Sequence, residues 1–205
     1  MRMKVASWSV LEKLLQHLMN KLKLFGIVSK HWHKYSSYRG TQGPIKPDLI
    51  KRSFSAVYSN HKWYSDITEF KLKGQKTYLS PIIDGCTQEI VSYTISRSPN
   101  LKQTMDMLRK AWDKHPALNG LIFHTDQGWQ YQNDQFQAWL KNHGISQSMS
   151  RKGNSLDNGL MKDFFGILKR EMFYGFEKHL RISLNWKMRL ETILSITIIK
   201  ESKSN

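Results

Sequence analysis

Trp63-Tyr64-Ser65-Asp66-Ile67-Thr68-Glu69-Phe70 decides how this chain is read. Its aromatic and β-branched residues favour an extended strand, and a carboxylate, Asp66, sits inside it. On an edge strand such a residue normally faces water. A second short apolar run, Leu121-Ile122-Phe123-His124, leads into Thr125-Asp126-Gln127-Gly128, where the chain must turn, so Asp126 falls at a strand end. Taken singly, each aspartate reads as structural. On adjacent central strands the two would meet at one sheet edge, and paired carboxylates hold hard divalent cations. Two such ions about 3.5–4 Å apart activate an attacking oxygen and stabilise a leaving one in phosphodiester displacement.

Working outward, Thr77–Ile83 and Ile90–Ser96 are two further β-prone runs. Short gaps at Lys73-Gly74-Gln75 and Asp84-Gly85 join the first three strands into an antiparallel meander. Asn100 or Ser98 then starts a helix with Leu101, Met105, Leu108 and Trp112 on one face. After the Leu121–His124 strand come a helix near Asp134–Asn142 and a brief strand around Ile145–Met149. Asp157 or Asn158 is placed to cap a last helix, whose apolar face is Met161, Phe164, Phe165, Leu168 and Met172. The order β-β-β-α-β-α-β-α predicts an α/β fold, a mixed five-stranded sheet with flanking helices.

Upstream, Leu11, Leu14, Leu15, Leu18 and Leu22 form the stripe of an amphipathic helix that ends at Gly26. Residues 29–56 read as a basic linker in which Trp32, Tyr35 and Tyr38 interleave with Lys, Arg and His, a pattern able to track a nucleic-acid backbone or simply to remain solvated. The 205 residues carry 32 Lys and Arg against 16 Asp and Glu, a net charge of +16. That excess favours a polyanionic partner, since neutralising phosphates releases counterions. Cys86 stands alone, which rules out an internal disulfide and suits a reducing cytoplasm. No apolar run reaches the roughly 18–20 residues of a membrane span, so a cytoplasmic, nucleoid-associated protein is expected.

Several long motifs resemble the IS-three family of insertion-sequence transposases, which carry a retroviral-integrase-like core. The stretch 63–70 is similar to the first acidic motif of that family, and Tyr78-Leu79-Ser80-Pro81-Ile82-Ile83-Asp84 to its second strand. His124-Thr125-Asp126-Gln127-Gly128-Trp129-Gln130-Tyr131 resembles the second acidic motif. Ser148-Met149-Ser150-Arg151-Lys152-Gly153-Asn154, Asp157-Asn158 and Phe164-Phe165-Gly166 with Leu168-Lys169 resemble the third. The likeness runs from about Lys21 to Lys178. It implies a ribonuclease-H-like fold, a D-D-E site holding two Mg²⁺ (or Mn²⁺) ions, homo-oligomeric assembly on DNA, and cutting and joining of transposon ends. Asp66 and Asp126 are then the metal ligands, and Arg151, Lys152 and Lys169 the candidate DNA-contacting cations.

The chain departs from that pattern at its third acid. The family's Glu falls 36 positions after the second Asp, and Lys162 stands there. An ammonium removes an anion and repels the ion. The neighbouring Asp163 is rotated by about 100° around the helix. The zinc-binding His and Cys pairs of retroviral integrases are absent from the pattern, and 1–28 resembles at most a helical remnant of the family's upstream DNA-binding domain. After Lys178 the resemblance stops. Shifting the frame of a back-translated Ser195–Asn205 restores a sequence like the family's closing motif, so 179–205 is expected to be a frameshifted, loosely packed tail. The expectation is therefore a transposase core at 57–178 in a truncated, catalytically impaired copy, or alternatively a non-catalytic DNA-binding remnant that interferes with intact relatives.

Overall fold

A computed structural model of the chain describes residues 43–174 except 73, 117 and 119, together with His17, Lys21 and Leu190. The chain divides into two compact units, 1–36 and 37–205. Of the first only His17 and Lys21 are described, both helical, so the leucine stripe of the expected upstream helix lies outside the described residues. So does nearly all of the expected frameshifted tail.

The second unit is built on a mixed sheet. Its strands are β1 (Lys62–Ser65), β2 (Thr68–Leu72), β3 (Gln75–Asp84), β4 (Ile90–Ser96), β5 (Ile122–Thr125) and β6 (Ser146–Met149). Helices α1 (Leu101–Lys114), α2 (Trp129–Gln132), α3 (Asp134–Asn142) and α4 (Gly159–Met172) cover it, with a 3₁₀ turn at Ser155–Asn158. Six strands appear where five were expected because the run 63–70 is broken in two. Asp66 Oδ1 accepts the N–H of Ile67 at 2.7 Å, a local bond that competes with the sheet ladder. β1 and β2 then pair along the same side of β3: Trp63–Ser65 oppose Ile82–Asp84, and Thr68–Leu72 oppose Gln75–Leu79. β4 pairs antiparallel on the other side of β3. β5 lies parallel to β1, and β6 parallel to β5.

Both faces of the sheet are buried, which explains why its strands lack a clean polar alternation. Successive residues point to opposite faces. Tyr64 and Ile83 therefore join a core with Phe70, Leu79, Met161, Phe165 and Leu168, where α4 lays its apolar stripe. Trp63 and Ile82 join the other core, with Met107, Leu108, Phe123 and Phe136, under α1 and α3. Asn100 caps α1, its side-chain oxygen accepting the Gln103 N–H at 2.9 Å. Leu190, from within 179–205, is fully buried in the first core, which runs against a loosely packed tail at that residue.

The described part of the expected linker is a strap bonded to the core. Gly43 N–H donates to the Gln132 carbonyl at 3.0 Å, and a Cβ at Gly43 would sit 2.3 Å from that oxygen. The Leu49 N–H donates to Ser148 Oγ at 2.9 Å, and Ile50 is buried in the first core. Tyr64 Oη donates to the Phe54 carbonyl at 2.9 Å. Lys51 and Arg52 take left-handed φ values of 46° and 66°, a strained choice for residues with a Cβ. Arg52 is held there by an ion pair, Nε to Asp157 Oδ1 at 3.0 Å. No described helix is long and apolar enough to cross a membrane.

Candidate active site

Strand register alone brings the two aspartates together. In the parallel pair β1–β5, Lys62, Trp63 and Tyr64 lie opposite Ile122, Phe123 and His124. Two residues further, one past each strand end, Asp66 therefore falls opposite Asp126. Neighbouring strands run about 4.8 Å apart, so the carboxylates emerge side by side at the carboxyl edge of the sheet.

Each carboxylate is fixed by the turn it starts. Asp66 Oδ1 accepts from Ile67 N–H, and Asp126 Oδ1 accepts the Gly128 N–H at 2.8 Å. A Cβ at Gly128 would approach Asp126 Oδ1 to 2.9 Å, so the absent side chain lets the loop fold back over the carboxylate. The second oxygen of Asp66, Oδ2, accepts from Asn158 Nδ2 at 3.0 Å, which ties β1 to the residue that opens α4. Both aspartates are half-buried. Burial, reinforced by the negative charge of Asp126, pushes the Asp66 carboxyl up to about 8, while the Lys162 charge acts weakly in the other direction. Burial likewise raises Asp126. Two like charges placed this close favour one shared proton.

Beneath the pair lies Tyr131, fully buried, with its hydroxyl 3.2 Å from Ser65 Oγ. Burial, with the charges of Asp66 and Asp126, raises its pKa well above the ordinary value, so it stays a neutral hydroxyl. His124 bridges two elements: Nδ1 lies 2.8 Å from Ser148 Oγ and Nε2 lies 3.0 Å from the Asp157 carbonyl. Burial lowers its pKa, which favours the neutral ring.

The expected helix cap is corrected here. Asn158 occupies the N-cap position of α4 but makes no side-chain capping bond; its Nδ2 donates to Asp66 Oδ2 instead. Asp157, fully buried, is instead the anion between two arginines. It accepts from Arg52 Nε at 3.0 Å, Arg151 Nε at 2.7 Å and Arg151 Nη2 at 3.0 Å. Those charge-assisted bonds hold its carboxyl well below the usual range. The Arg151 guanidinium is thus engaged with Asp157, although 60% of its side chain is accessible. Lys152 is exposed on the same loop, and Lys162 and Asp163 are exposed on α4. Lys169 is half-buried, with Nζ 5.5 Å from the Phe70 ring centroid. Burial lowers its pKa, while Asp66 and Glu69 oppose that shift.

The donor set suits one hard cation. Two carboxylates lie side by side, and the Asn158 carbonyl oxygen is buried without a hydrogen-bond partner among the described residues, so oxygen ligands are available. A second ion finds no matching set. Among the described residues, no three His, Cys, Asp or Glu side chains are grouped to hold a metal, and Lys162 stands where the third acid is expected. Asn158, Asp157 and Tyr131 lay inside the motifs read from sequence without being assigned these roles. Their contacts are tertiary, and no local pattern announces them.

Residues 57–155 match the integrase core domain family. The chain is 44% identical over 162 residues to transposase InsK of insertion sequence element IS150 from Escherichia coli K12, covering 79% of this chain and 56% of InsK. It is 47% identical over 163 residues to a transposase-like protein of Haemophilus influenzae, covering 80% and 74%. It is 33% identical over 156 residues to transposase InsF of IS3A from E. coli K12, covering 75% and 54%. The match thus spans little more than half of InsK and InsF. Among solved structures, the HTLV-2 integrase catalytic core domain in complex with magnesium, trimeric form, superposes with TM-score 0.51 at 19% identity, covering 73% of this chain and 89% of that one. A simian T-cell lymphotropic virus intasome chain, from a complex with the PP2A regulatory subunit B56 gamma, gives 0.58 at 20%, covering 95% and 65%. At such identities the likeness concerns the fold, which is ribonuclease-H-like.

Proposed function

Because the chain belongs to the integrase-core family of insertion-sequence transposases, we propose that it binds DNA through its basic surface and carries a weakened divalent-metal centre for strand transfer of transposon ends. The register pairing of Asp66 with Asp126 carries this reading, since it sets two carboxylates side by side at the sheet edge, where without a cation they disfavour each other's charge. A bound Mg²⁺ or Mn²⁺ ion supplies Lewis acidity for in-line displacement at a phosphodiester.

Each nearby residue has a distinct part. Asp66 and Asp126 hold the cation. The Asn158 amide fixes the rotamer of Asp66, and Gly128 closes the loop over Asp126. Tyr131 and Ser65 form a neutral hydroxyl floor. Lys169 and Lys152 attract phosphate, and Arg151 contributes the exposed edge of a guanidinium whose charge is mostly met by Asp157. Lys162, at the position of the third acid, adds positive charge beside the pair and lowers its hold on the ion. On DNA the chain assembles with further copies, as the core of a multimer acting on two ends. Domain limits follow the same reading, with the core at 57–178 served by upstream residues 29–56.

The test is a strand-transfer assay with Mg²⁺ or Mn²⁺ on oligonucleotide ends. The chain as it stands should be close to background, Lys162→Glu should raise activity at least ~10-fold, and Asp66→Asn should remove the gain. If Lys162→Glu adds nothing while DNA binding is intact, the second reading stands: a DNA-binding protein without chemistry. The ammonium at position 162 favours that second reading.

A further inference from the structure

The Asn158 side chain, bonded to Asp66 through its amide nitrogen, carries an unused acceptor oxygen. It is 5% exposed. Its Nδ2 donates to Asp66 Oδ2 at 3.0 Å, yet its Oδ1 has no hydrogen-bond partner among the described residues. A buried carbonyl left without a partner is costly, and native structures satisfy the large majority of such groups. The backbone around it gives a second, independent clue. Asn158 is the residue that opens α4, four positions before Lys162, where the expected third acid would stand. Asn158 is buried and Lys162 exposed. Amide carbonyls are ordinary ligands of hard divalent ions. They supply an oxygen without adding negative charge to a pair that already repels itself.

We propose that Asn158 Oδ1 is the third protein oxygen donor to a divalent cation held by Asp66 and Asp126. Asn158 thereby partly replaces the carboxylate missing at position 162. This inference rests on the metal-centre reading of the site and adds a ligand to it. The amide has two faces for two tasks. Its N–H group orients one Asp66 oxygen, and its carbonyl completes the coordination shell from the helix side.

The test uses Mn²⁺ alone as probe, bound to the full chain prepared with ¹³Cγ-labelled asparagine and read by electron–nuclear double resonance and by titration. A ¹³C hyperfine coupling to Mn²⁺ that disappears in Asn158→Ala, with Mn²⁺ affinity falling at least ~10-fold, supports the ligand. Circular dichroism and thermal melting check that this variant is folded, and Asn158→Ser replaces it in both measurements if it is not. Mn²⁺ binding that depends on Asp66 but shows no ¹³C coupling and no loss in Asn158→Ala overturns the inference while leaving the metal centre intact. Mn²⁺ binding that Asp66→Asn leaves unchanged overturns both.

Discussion

Replacing Asp66 by Asn should stabilise the metal-free protein, by an amount that grows as pH rises from about 4 to 8. The Asp66 carboxyl is pushed from an ordinary value of 3.8 up to about 8 by burial and by the Asp126 charge. A carboxyl with a raised folded-state pKa binds a proton in the native protein that the unfolded chain has already released. Its contribution is therefore complete below about pH 4 and is lost as pH climbs through 8. At about 1.4 kcal/mol per pH unit, the shift sets a ceiling near 6 kcal/mol. Asp66 is half-buried, so solvent screens part of this, and the pair can share one proton; about 1–3 kcal/mol is expected at alkaline pH. The amide keeps one of the two acceptors that Ile67 N–H and Asn158 Nδ2 now use, and the lost bond is a pH-independent offset of about 1 kcal/mol. The slope is thus the diagnostic. Urea unfolding of both proteins in EDTA, at half-unit pH steps, reads it directly. A stability difference that is flat with pH, or that moves against the variant as pH rises, would refute the reasoning.

Other outcomes follow from the same contacts. DNA affinity, measured by fluorescence anisotropy, should fall by at least ~10³-fold between about 50 and 200 mM salt if several phosphates are neutralised; Lys152→Ala and Lys169→Ala should weaken it equally for all sequences. Leu190→Ala should cost about 2–5 kcal/mol in chemical unfolding, as for other fully buried leucines, whereas an idle tail predicts no loss. Asp157→Asn should speed proteolysis within 43–58, because it uncouples Arg52 from the core. The Asp157 contribution is present above about pH 4 and disappears as pH falls through its depressed folded-state pKa, so wild-type and variant cleavage rates should converge in strong acid.

Much of the fold was legible because its strands are dense in aromatic and β-branched residues and its helices have clear apolar stripes. The pairing of Asp66 with Asp126 was legible for a different reason: a carboxylate inside one β-prone run and a second at the end of another can meet at one sheet edge when the two strands are central neighbours. What stayed hidden was decided by tertiary contact. The break at Asp66 comes from one side-chain bond to Ile67, and no propensity scale separates Trp63–Phe70 into two strands. Helix α2 spans four residues, too few for any periodicity. The strap was read as a basic linker, nucleic-acid-tracking or solvated, while the side chain of Ile50 and the carbonyl of Phe54 are among the parts that bind the core. Asn158 and Asp157 carry the chemistry of helix caps, and both were drawn elsewhere, one to a carboxylate and the other to two arginines.

Position 162 is solvent-facing on a helix whose grip on the sheet comes from Met161, Phe165 and Leu168. Packing therefore makes no demand on the side chain there. Packing cannot distinguish Glu from Lys at this site; charge can, since the Lys162 ammonium offsets the raised Asp66 carboxyl, and selection for the reaction reverses that preference. Asp66 and Asp126 differ, being bound into turns that shape the sheet edge. In a lineage released from the need to move DNA, the third acid would drift first and the other two would linger, and the fold would outlive its chemistry.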